Sequence, residues 1–173
     1  MLNERNGRVV EAAGFRKAMA RFATGVTVLT TGGARVHGMT ANAIASVSLD
    51  PPLLLCCVAR TAAMHEAIAG TGSFAVSVLS AGQSGLASYF SGRDRPLGPG
   101  QFAGVDCVPG PHTGAPLLSG ALAWLECTLV SHYAGGDHSI FVGEVRSATR
   151  GAGDDALLFF DGTLRPATPA AAG

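Results

Sequence analysis

The sequence predicts a mainly β protein, an antiparallel β-barrel with a few short helices. Three observations predict this class: the strand-like segments are short and alternate between apolar and polar residues, glycine-rich turns join them, and helical segments are inserted without regular interleaving. A parallel βαβ sheet would show helices alternating regularly with strands. The chain has 173 residues, 47% of them hydrophobic, which suffices for one domain with a substantial core and is too short for two.

The first predicted element is an amphipathic helix. Apolar residues recur at the spacing of one helix face, with basic residues between them. The apolar positions are Phe15, Ala18, Met19 and Phe22. We expect this stripe to dock on the strands that follow. Residues 26–31 are rich in β-branched residues and predict a strand, and Gly32 with Gly33 predicts a hairpin turn after it.

The stretch from Gly38 to Thr61 is the most unusual in the chain, because small residues, hydroxyls and one Asn precede a Pro-Pro break. Alternation in residues 43–49 predicts a strand with Ser46 and Ser48 on the same face, so that one face is lined with hydroxyls. The two prolines cannot continue the ladder, since proline lacks a backbone donor. Residues 53–58 then predict a short buried strand.

The middle of the chain predicts two short helices, a strand and a long irregular loop. Residues 62–69 predict a helix on which His65 faces solvent, and residues 83–89 predict a second helix. Alternation in residues 73–78 predicts a half-buried strand. Residues 91–116 are dense in glycine and proline, which denies them regular structure. A loop this long within one domain indicates a lid, a binding loop or a partner surface.

A long hairpin and a short last strand complete the predicted fold. The three strands cover residues 121–129, 139–145 and 157–160, with a turn at residues 135–137. In the first of them, the odd-numbered residues should face the core, whereas Trp124 and Glu126 lie on the other face. We expect both termini to be flexible, with residues 166–173 frayed.

Composition and charge exclude several classes of partner. Lys and Arg (12) balance Asp and Glu (12), only 14% of residues are charged and no basic run occurs, so neither nucleic acid nor an anionic membrane surface is an electrostatic partner. The sequence shows no secretory h-region and no apolar run long enough to span a bilayer. We therefore expect a cytoplasmic protein that binds a small molecule.

Several catalytic and metal motifs are missing from the sequence. It contains no G-x-G-x-x-G and no P-loop for nucleotides, and no G-x-S-x-G for a hydrolase. The 5 histidines lack metal-ligand spacing and the 4 cysteines lack C-x-x-C spacing. We therefore expect no metal site, and cysteines that are reduced and packed as small hydrophobic residues.

Segments throughout the chain resemble, in order, the short-chain flavin reductases that serve two-component flavin monooxygenases. The matching segments are FRKAMARFATGVTVLTT, GMTANAIASVSLDPPLLLCCVART, FAVSVLSAGQSGLASYFSG, QFAGVD, PLLSGALAWLECTL, GDHSIFVGEV and LLFFDGTLRP. They extend from about Phe15 to about Pro166. The resemblance implies a single flavin reductase-like domain over residues 1–173, with a barrel at about 15–166, that forms a homodimeric split β-barrel and binds FMN or FAD.

The resemblance also implies which residues form the flavin site. The flavin cradle falls on Thr40, Ala41, Asn42, Ala43, Ser46, Val47, Ser48, Cys57, Arg60 and Thr61. Hydroxyls and backbone N–H groups can hold a phosphate, and the Arg60 guanidinium can add a charge-assisted hydrogen bond. His138 of the Gly-Asp-His turn is implied to position the nicotinamide, with Asp137 setting the turn.

Plainer interpretations of the same residues stay open. Ser46 and Ser48 also fit ordinary exposed strand positions, and Arg60 fits a solvated strand end. His138 equally fits an exposed turn residue. Residues 90–93 begin the long loop and either cover the flavin or nicotinamide or form a mobile surface loop.

The activity implied by the resemblance is that of an NAD(P)H:flavin oxidoreductase. Hydride passes from the nicotinamide of NADH or NADPH to flavin N5, and the reduced flavin is supplied to a separate monooxygenase. Two alternatives use the same fold. One is a flavin-binding module for storage or sensing without reductase activity, and the other is an oxidase that acts on another substrate through tightly bound FMN.

Overall fold

The computed structural model describes residues 10–167, and this part of the chain is mainly β with a few short helices, as predicted. The α-helices are α1 (Ala12–Met19), α2 (Ala63–Thr71) and α3 (Ser84–Ser91), and short 3₁₀ segments cover Gly33–Arg35, Ala81–Gln83 and Gly98–Phe102. The strands are β1 (Thr24–Gly25), β2 (Thr27–Thr31), β3 (His37–Ala41), β4 (Ile44–Leu49), β5 (Pro52–Ala59), β6 (Ser73–Val78), β7 (Cys107–Pro109), β8 (Pro116–Leu118), β9 (Ala123–Gly135), β10 (His138–Arg150), β11 (Leu157–Phe160) and β12 (Thr163–Pro166). Neighbouring strands pair antiparallel throughout the sheets.

The body of the fold is a seven-stranded sheet in the order β3-β2-β6-β9-β10-β5-β4. Its two edge strands, β3 and β4, follow each other in the chain and are separated only by Asn42 and Ala43. A flat sheet of this size would be about 29 Å wide, at roughly 4.8 Å between neighbouring strands. The three steps from Ala41 to Ile44 span at most about 11 Å. The sheet therefore curls until its two edges approach each other at this junction.

Helix α1 forms where the apolar stripe predicts a helix, but the expected docking of that stripe is wrong. Phe15 is 60% exposed, Met19 48% and Phe22 65%, and no residue of α1 is buried. The spacing of apolar residues shows which of them share a face, and it does not identify the surface that covers the face. Within residues 10–167 of a single chain, the α1 stripe stays largely uncovered.

A β-bulge in β4 overturns the predicted hydroxyl-lined face. Ser46 pairs with Leu54 and Ser48 pairs with Leu53, so Val47 is an extra residue on its strand. Because Leu53 and Leu54 point to opposite faces of the sheet, Ser46 and Ser48 also lie on opposite faces. An alternating sequence does not reveal such a bulge, since one inserted residue leaves the composition of the strand unchanged.

Two other strands differ from the prediction in how they are buried. Strand β5 is buried at alternate residues only, so one of its faces is half-exposed. Strand β6 is buried on both faces, because the β7–β8 hairpin covers its outer side. Leu118 N donates a hydrogen bond to Ser77 Oγ at 3.1 Å and holds the hairpin there. The long loop was predicted to have no regular structure. It therefore supplies, through this hairpin, part of the cover over the outer side of β6.

Helix α2 packs beneath the sheet and contributes to the main core. Its buried residues are Met64, Ala67 and Ile68, and they join a cluster that includes Phe74 and Phe141. His65 does not face solvent as expected, because its side chain is only 16% exposed and its Nε2 lies 2.9 Å from Ser139 Oγ. A second cluster, which includes Phe90, joins α3 to strands β2, β8 and β11.

The predicted carboxyl-terminal strands are present. The β9–β10 hairpin is longer than predicted, and β12 adds a strand beside β11 that alternation did not predict. Within residues 10–167, no helix combines the length and the apolar character of a membrane span. The expected fraying of residues 166–173 is wrong for Pro166, which ends β12, and for Ala167, whose N–H donates to Ala156 O at 2.7 Å. Residues 168–173, and the expected flexible amino terminus at residues 1–9, lie outside the described residues.

Candidate functional site

A cleft of about 970 Å³ lies between α1 and the curled sheet. Helix α1 and the turn after it, β1, the β3–β4 junction and β5 line the cleft. On the sheet side, its surface carries Ala43, Ala45, Leu55 and Cys57, and Phe159 closes another side. Small side chains let a flat ring approach the backbone closely, and the apolar walls suit an aromatic ligand.

A smaller cavity of about 240 Å³ adjoins the cleft, and the two share Asn42 and Phe159 as lining residues. Thr40 and Ala41 line the smaller cavity together with Ser91, at the end of α3. Two hydrogen bonds hold the residues between the cavities. Thr40 Oγ1 donates to the backbone oxygen of Ala87 at 2.7 Å, and Asn42 Nδ2 donates to Thr24 Oγ1 at 3.1 Å.

The structure brings some of the predicted flavin residues together and separates others. Those on the two cavities are Thr40, Ala41, Asn42, Ala43 and Cys57. Ser46, Val47 and Ser48 lie further along β4, towards its turn with β5. Arg60 and Thr61 follow the opposite end of β5, beside Asp137 and His138. From Leu53, the partner of Ser48, to Arg60 the strand rises by about 20 Å, at roughly 3.3 Å per residue.

Ser48 lies on the cleft side of β4 and Ser46 lies on the other. The partner of Ser48 is Leu53, which shares a face of β5 with the cleft-lining Leu55 and Cys57. Ser48 Oγ accepts a hydrogen bond from Asp50 N at 3.2 Å. Because a hydroxyl both donates and accepts, the Ser48 proton stays available to a ligand oxygen.

The β9–β10 turn joins the end of β5 through main-chain and side-chain contacts. Arg60 N donates to Asp137 O at 3.0 Å, and His138 Nδ1 lies 2.7 Å from Asp137 Oδ1. This hydrogen bond, followed by the charge of His138, holds the pKa of Asp137 below its usual range. Since an ionised carboxylate only accepts, Nδ1 carries the proton, and Nε2 of the neutral ring is left as an acceptor.

Arg16 is a candidate site residue that sequence reasoning missed. Among residues 10–167, it is the only charged side chain that lines the cleft. Its positive charge also makes a small contribution to the lowered pKa of Asp137, so the cleft and the β9–β10 turn lie within electrostatic reach of each other. The helical spacing assigned Arg16 to the polar face of α1. The position of α1 over the sheet, which the sequence does not reveal, directs Arg16 towards the cleft.

Gln101 is a second residue that the sequence did not single out, and it fastens the long loop onto β3. Its side chain is fully buried. Oε1 accepts the Gly38 N–H at 2.7 Å, and Nε2 lies 2.8 Å from His37 Nδ1. Arg95 adds a hydrogen bond from Nη2 to Gly38 O at 3.0 Å. The loop is therefore held two residues before Thr40, which lines the smaller cavity.

Gly38 provides the signal that could have indicated this contact. A Cβ at Gly38 would lie 2.5 Å from Phe90 Cε1 and 3.0 Å from Phe102 Cζ. Both rings are fixed in the second hydrophobic cluster, so only glycine lets the loop approach β3 this closely.

His37 is neutral at the centre of this contact. Burial first, and then the positive charge of Arg95, lower the pKa of His37. The amide of Gln101 is oriented by the Gly38 N–H, so its Nε2 donates to His37 Nδ1. Protonation of Nδ1 would remove that acceptor and place two cations side by side.

The four cysteines form no disulfide within the described chain. All four are free thiols, in agreement with the prediction, and burial raises the pKa of Cys56 and Cys127 to about 12. Cys57 is half-exposed and lines the cleft. Among residues 10–167, no three His, Cys, Asp or Glu side chains are grouped to hold a metal ion.

Comparison with known proteins identifies a family that spans most of the chain. Residues 19–168 match the flavin reductase like domain. The NADH-dependent FAD reductase of Streptomyces globisporus is 49% identical over 154 residues, which cover 89% of this chain and 85% of that protein. The NADH-dependent flavin reductase of a Rhodococcus species is 40% identical over 154 residues, which cover 87% of this chain and 83% of that protein.

Solved structures agree with the sequence matches. BorF, the flavin reductase component of a bacterial two-component tryptophan halogenase, superposes with a TM-score of 0.87 at 49% identity, covering 90% of this chain and 98% of BorF. The NADH:FAD oxidoreductase SgcE6 of Streptomyces globisporus, in complex with NAD and FAD fragments, superposes with a TM-score of 0.85 at 46% identity, covering 92% of this chain and 94% of SgcE6.

The lowered pKa of His37 predicts a loss of stability in mild acid. Below about pH 6.5 the unfolded chain protonates His37 while the folded chain resists it, so the unfolded state binds more protons and the free energy of unfolding falls as pH falls. His37→Gln, which does not titrate, should lose less stability over this window. Urea denaturation from about pH 7.5 to 5 measures the difference, with exposed His112→Gln as the control. Parallel curves for wild type and His37→Gln would contradict the assignment.

Proposed function

The chain belongs to the flavin reductase-like domain family, and on that premise we propose that it catalyses the reduction of a flavin by NADH. The observation that carries this proposal is the 49% identity to an NADH-dependent FAD reductase over 89% of the chain. FMN and FAD both remain substrates of the proposed reaction, because relatives with either preference are similar to this chain. NADH is favoured over NADPH as the donor, since the named relatives use NADH.

The cleft between α1 and the sheet fits a flavin. Ala43 and Ala45 leave room beside the sheet for a planar ring system, and Phe159 and Leu55 supply apolar walls. Thr40, Ala41, Asn42 and Cys57 complete the cradle in this proposal. The flavin, when bound, supplies an acceptor for hydride at N5. The cleft residues orient the ring and exclude water, which accounts for most of what the protein contributes to hydride transfer.

The phosphate end of the flavin is proposed to lie at the end of β5, with Arg60 and Thr61. Arg60 and the cleft-lining Arg16 supply the positive charge that a phosphate requires. The Ser46–Ser48 segment is about 20 Å away along the strands, at roughly 3.3 Å per residue, so within one chain the same phosphate cannot contact both groups. Ser46, Val47 and Ser48 are then left to contact another part of the flavin or its adenylate extension.

His138 is proposed to position the nicotinamide. Its ring is held by Asp137 and its Nε2 is free to accept a hydrogen bond, as a carboxamide N–H of the nicotinamide would provide. Hydride transfer needs no general acid or base from the chain. His138 therefore acts by orientation, and Asp137 acts by fixing the His138 ring.

A homodimer is proposed because the chain carries several large apolar side chains that nothing in residues 10–167 covers. The exposed members are Phe15, Met19, Phe22, Val47, Leu49, Val130 and Tyr133, and Leu49 is 93% exposed. On the cleft face of the sheet, Ile140 pairs with Cys57 and Val142 with Leu55, all half-buried. We refer to these residues together as the apolar surface, and exposed apolar groups in this number suit a contact with a partner. A second copy would cover the apolar surface and close the cleft, which makes the curled sheet a dimeric split barrel.

The reduced flavin is proposed to leave for a separate enzyme that uses it with oxygen. The relatives include reductase subunits of flavin-dependent monooxygenases and the reductase component of a halogenase. In this proposal residues 1–173 form one reductase domain, which works in the cytoplasm on the NADH that metabolism supplies there.

An assay of NADH oxidation tests the proposed reaction. Purified protein, with its flavin removed, should oxidise NADH only after FMN, FAD or riboflavin is added, and it should oxidise NADPH more slowly. The fall in absorbance at 340 nm measures both rates. Flavin binding without oxidation of either nicotinamide would instead support the storage or sensing module. Turnover that needs tightly bound FMN and a third substrate would support the oxidase.

Separate variants of Arg60 and Ser48 locate the phosphate. Arg60→Ala should raise the Kd for FMN roughly tenfold through the loss of a charge-assisted hydrogen bond, with the Kd for riboflavin changed by less than about twofold. Ser48→Ala should change both values little. Flavin fluorescence titration measures the four constants, and exposed Arg150→Ala is the matched control. If Ser48→Ala alone weakened FMN binding and left riboflavin binding unchanged, the phosphate would lie at the β4 end of the site instead.

His138→Ala tests the nicotinamide role. The KM for NADH should rise about tenfold, as expected for one lost hydrogen bond in a closed site, while the Kd for FMN changes by less than about twofold. Exposed His112→Ala is the control. If the steady-state kinetics of His138→Ala matched those of the wild type, His138 would not position the nicotinamide.

Charged substitutions in the apolar surface test the proposed dimer. The double variant Phe15→Glu, Leu49→Glu should sediment as a monomer, because an unpaired carboxylate is costly to bury. Leu97 is also exposed, at 72%, but it does not belong to this surface. Leu97→Glu should therefore remain dimeric like the wild type. Analytical ultracentrifugation distinguishes the two forms, and a monomeric wild type would overturn the proposal.

A further inference from the structure

A third cavity lies on the outer face of the sheet, away from the cleft. It has a volume of about 370 Å³ and is bounded by the β7–β8 hairpin on one side and by β9 and β10 on the other. None of its lining residues belongs to the cleft or to the smaller cavity beside the cleft. Its volume lies near the lower end of the range for small-molecule sites, roughly 300–1,000 Å³.

Glu126 is the charged group of this cavity. The residue is 2% exposed, although it belongs to the face of β9 that the sequence assigns to the polar side. Oε1 accepts hydrogen bonds from His112 N at 3.0 Å, Thr113 N at 2.8 Å and Thr113 Oγ1 at 2.8 Å. A Cβ at Gly110 would lie 2.3 Å from the same oxygen, so the hairpin is closely fitted around it.

The second carboxylate oxygen of Glu126 has no such partner. Among residues 10–167, Oε2 makes no hydrogen bond. In this part of the chain, the fully buried side-chain polar atoms that have no hydrogen-bond partner belong to His65, Arg95 and Asp155, and Glu126 Oε2 is not among them. Oε2 is therefore reached from the cavity that Glu126 lines. A carboxylate oxygen in a mostly apolar cavity is stabilised by a cation far more than by water alone.

The remaining walls suit a cation that carries an apolar body. Val108, Pro111 and Leu117 are apolar, and the Trp124 indole adds an aromatic surface of the kind that attracts cations. The polar lining consists of Ser119, Ser147 and Thr149. No other lining residue in the described part of the chain is charged, so the electrostatic potential in the cavity is negative and repels phosphates and carboxylates.

We propose that this cavity is a binding site for a small organic cation, a primary ammonium attached to a compact apolar or aromatic body. The ammonium lies against Glu126 Oε2, with the hydroxyls of Ser147 and Thr149 as further acceptors. The apolar body lies between the hairpin residues and Trp124. The site is separate from the flavin cleft, and its existence does not depend on the reductase activity.

Trp124 makes the site directly observable, because it is the only tryptophan in the chain (Trp 1). Full-length protein freed of flavin is titrated with benzylamine while tryptophan emission is recorded. We expect a saturable change with a Kd at or below about 1 mM. Benzyl alcohol, which has the same shape without the charge, should bind at least about tenfold more weakly. Equal binding of amine and alcohol, or no saturable change with the amine, would overturn the proposal.

Two variants separate the site from the stability of the hairpin. Glu126→Gln keeps an acceptor for the hairpin N–H groups and removes the charge, so benzylamine should bind at least about tenfold more weakly. Ser147→Leu fills the cavity without touching the Oε1 hydrogen bonds and should also abolish binding. Glu144→Gln, whose carboxylate pairs with Arg146 outside the cavity, is the matched control and should bind as the wild type does.

The same variants keep this test apart from the test of reductase activity. Glu126→Gln and Ser147→Leu should oxidise NADH with added FMN at rates within about twofold of the wild type, since neither residue lines the cleft. If Glu126→Gln unfolds in urea at a much lower midpoint, Ser147→Leu alone decides the outcome. Undiminished amine binding by Ser147→Leu would then place the ammonium elsewhere and overturn the assignment.

Discussion

The two-residue connection between β3 and β4 is the constraint on which the rest of the structure depends. Asn42 and Ala43 join strands that lie at opposite edges of a seven-stranded sheet, so the sheet has to curl and its edges have to approach each other. The same two residues line the cleft, and Asn42 also lines the adjoining cavity. The cavities therefore lie at the open seam between the edges, where the backbone is not enclosed between two neighbouring strands.

Two buried polar side chains decide how the long loop folds. Gln101 fastens one part of it to β3, and Glu126 fastens the β7–β8 hairpin to β9. A buried polar group without a partner costs about 1–3 kcal/mol, so each of these side chains favours the loop conformation that supplies its partners. The first contact lies beside Thr40 of the smaller cavity, and the second bounds a separate cavity lined by β9 and β10.

Local patterns predicted local structure well and long-range structure poorly. Alternation and helical spacing predicted the strands around the core and the position of α2 in the chain, because each depends on neighbours a few residues apart. The bulge at Val47, the burial of Glu126 and the exposure of Phe15 were not predictable in this way. Each depends on a partner that is distant in sequence or, for Phe15, on a surface that the single chain does not supply.

The sequence by itself determined the class of the fold, the order of its main elements and, through the resemblance, the residues from Thr40 to Ala43 and Cys57 that line the cleft and its adjoining cavity. Tertiary structure alone decided that Ser46 and Ser48 lie on opposite faces, that Arg60 lies beside Asp137 and that Arg16 faces the cleft. The physical reason is the range of the interactions. Alternation and propensity act between near neighbours in the chain, whereas register, sheet curvature and the packing of α1 depend on contacts between residues far apart in sequence.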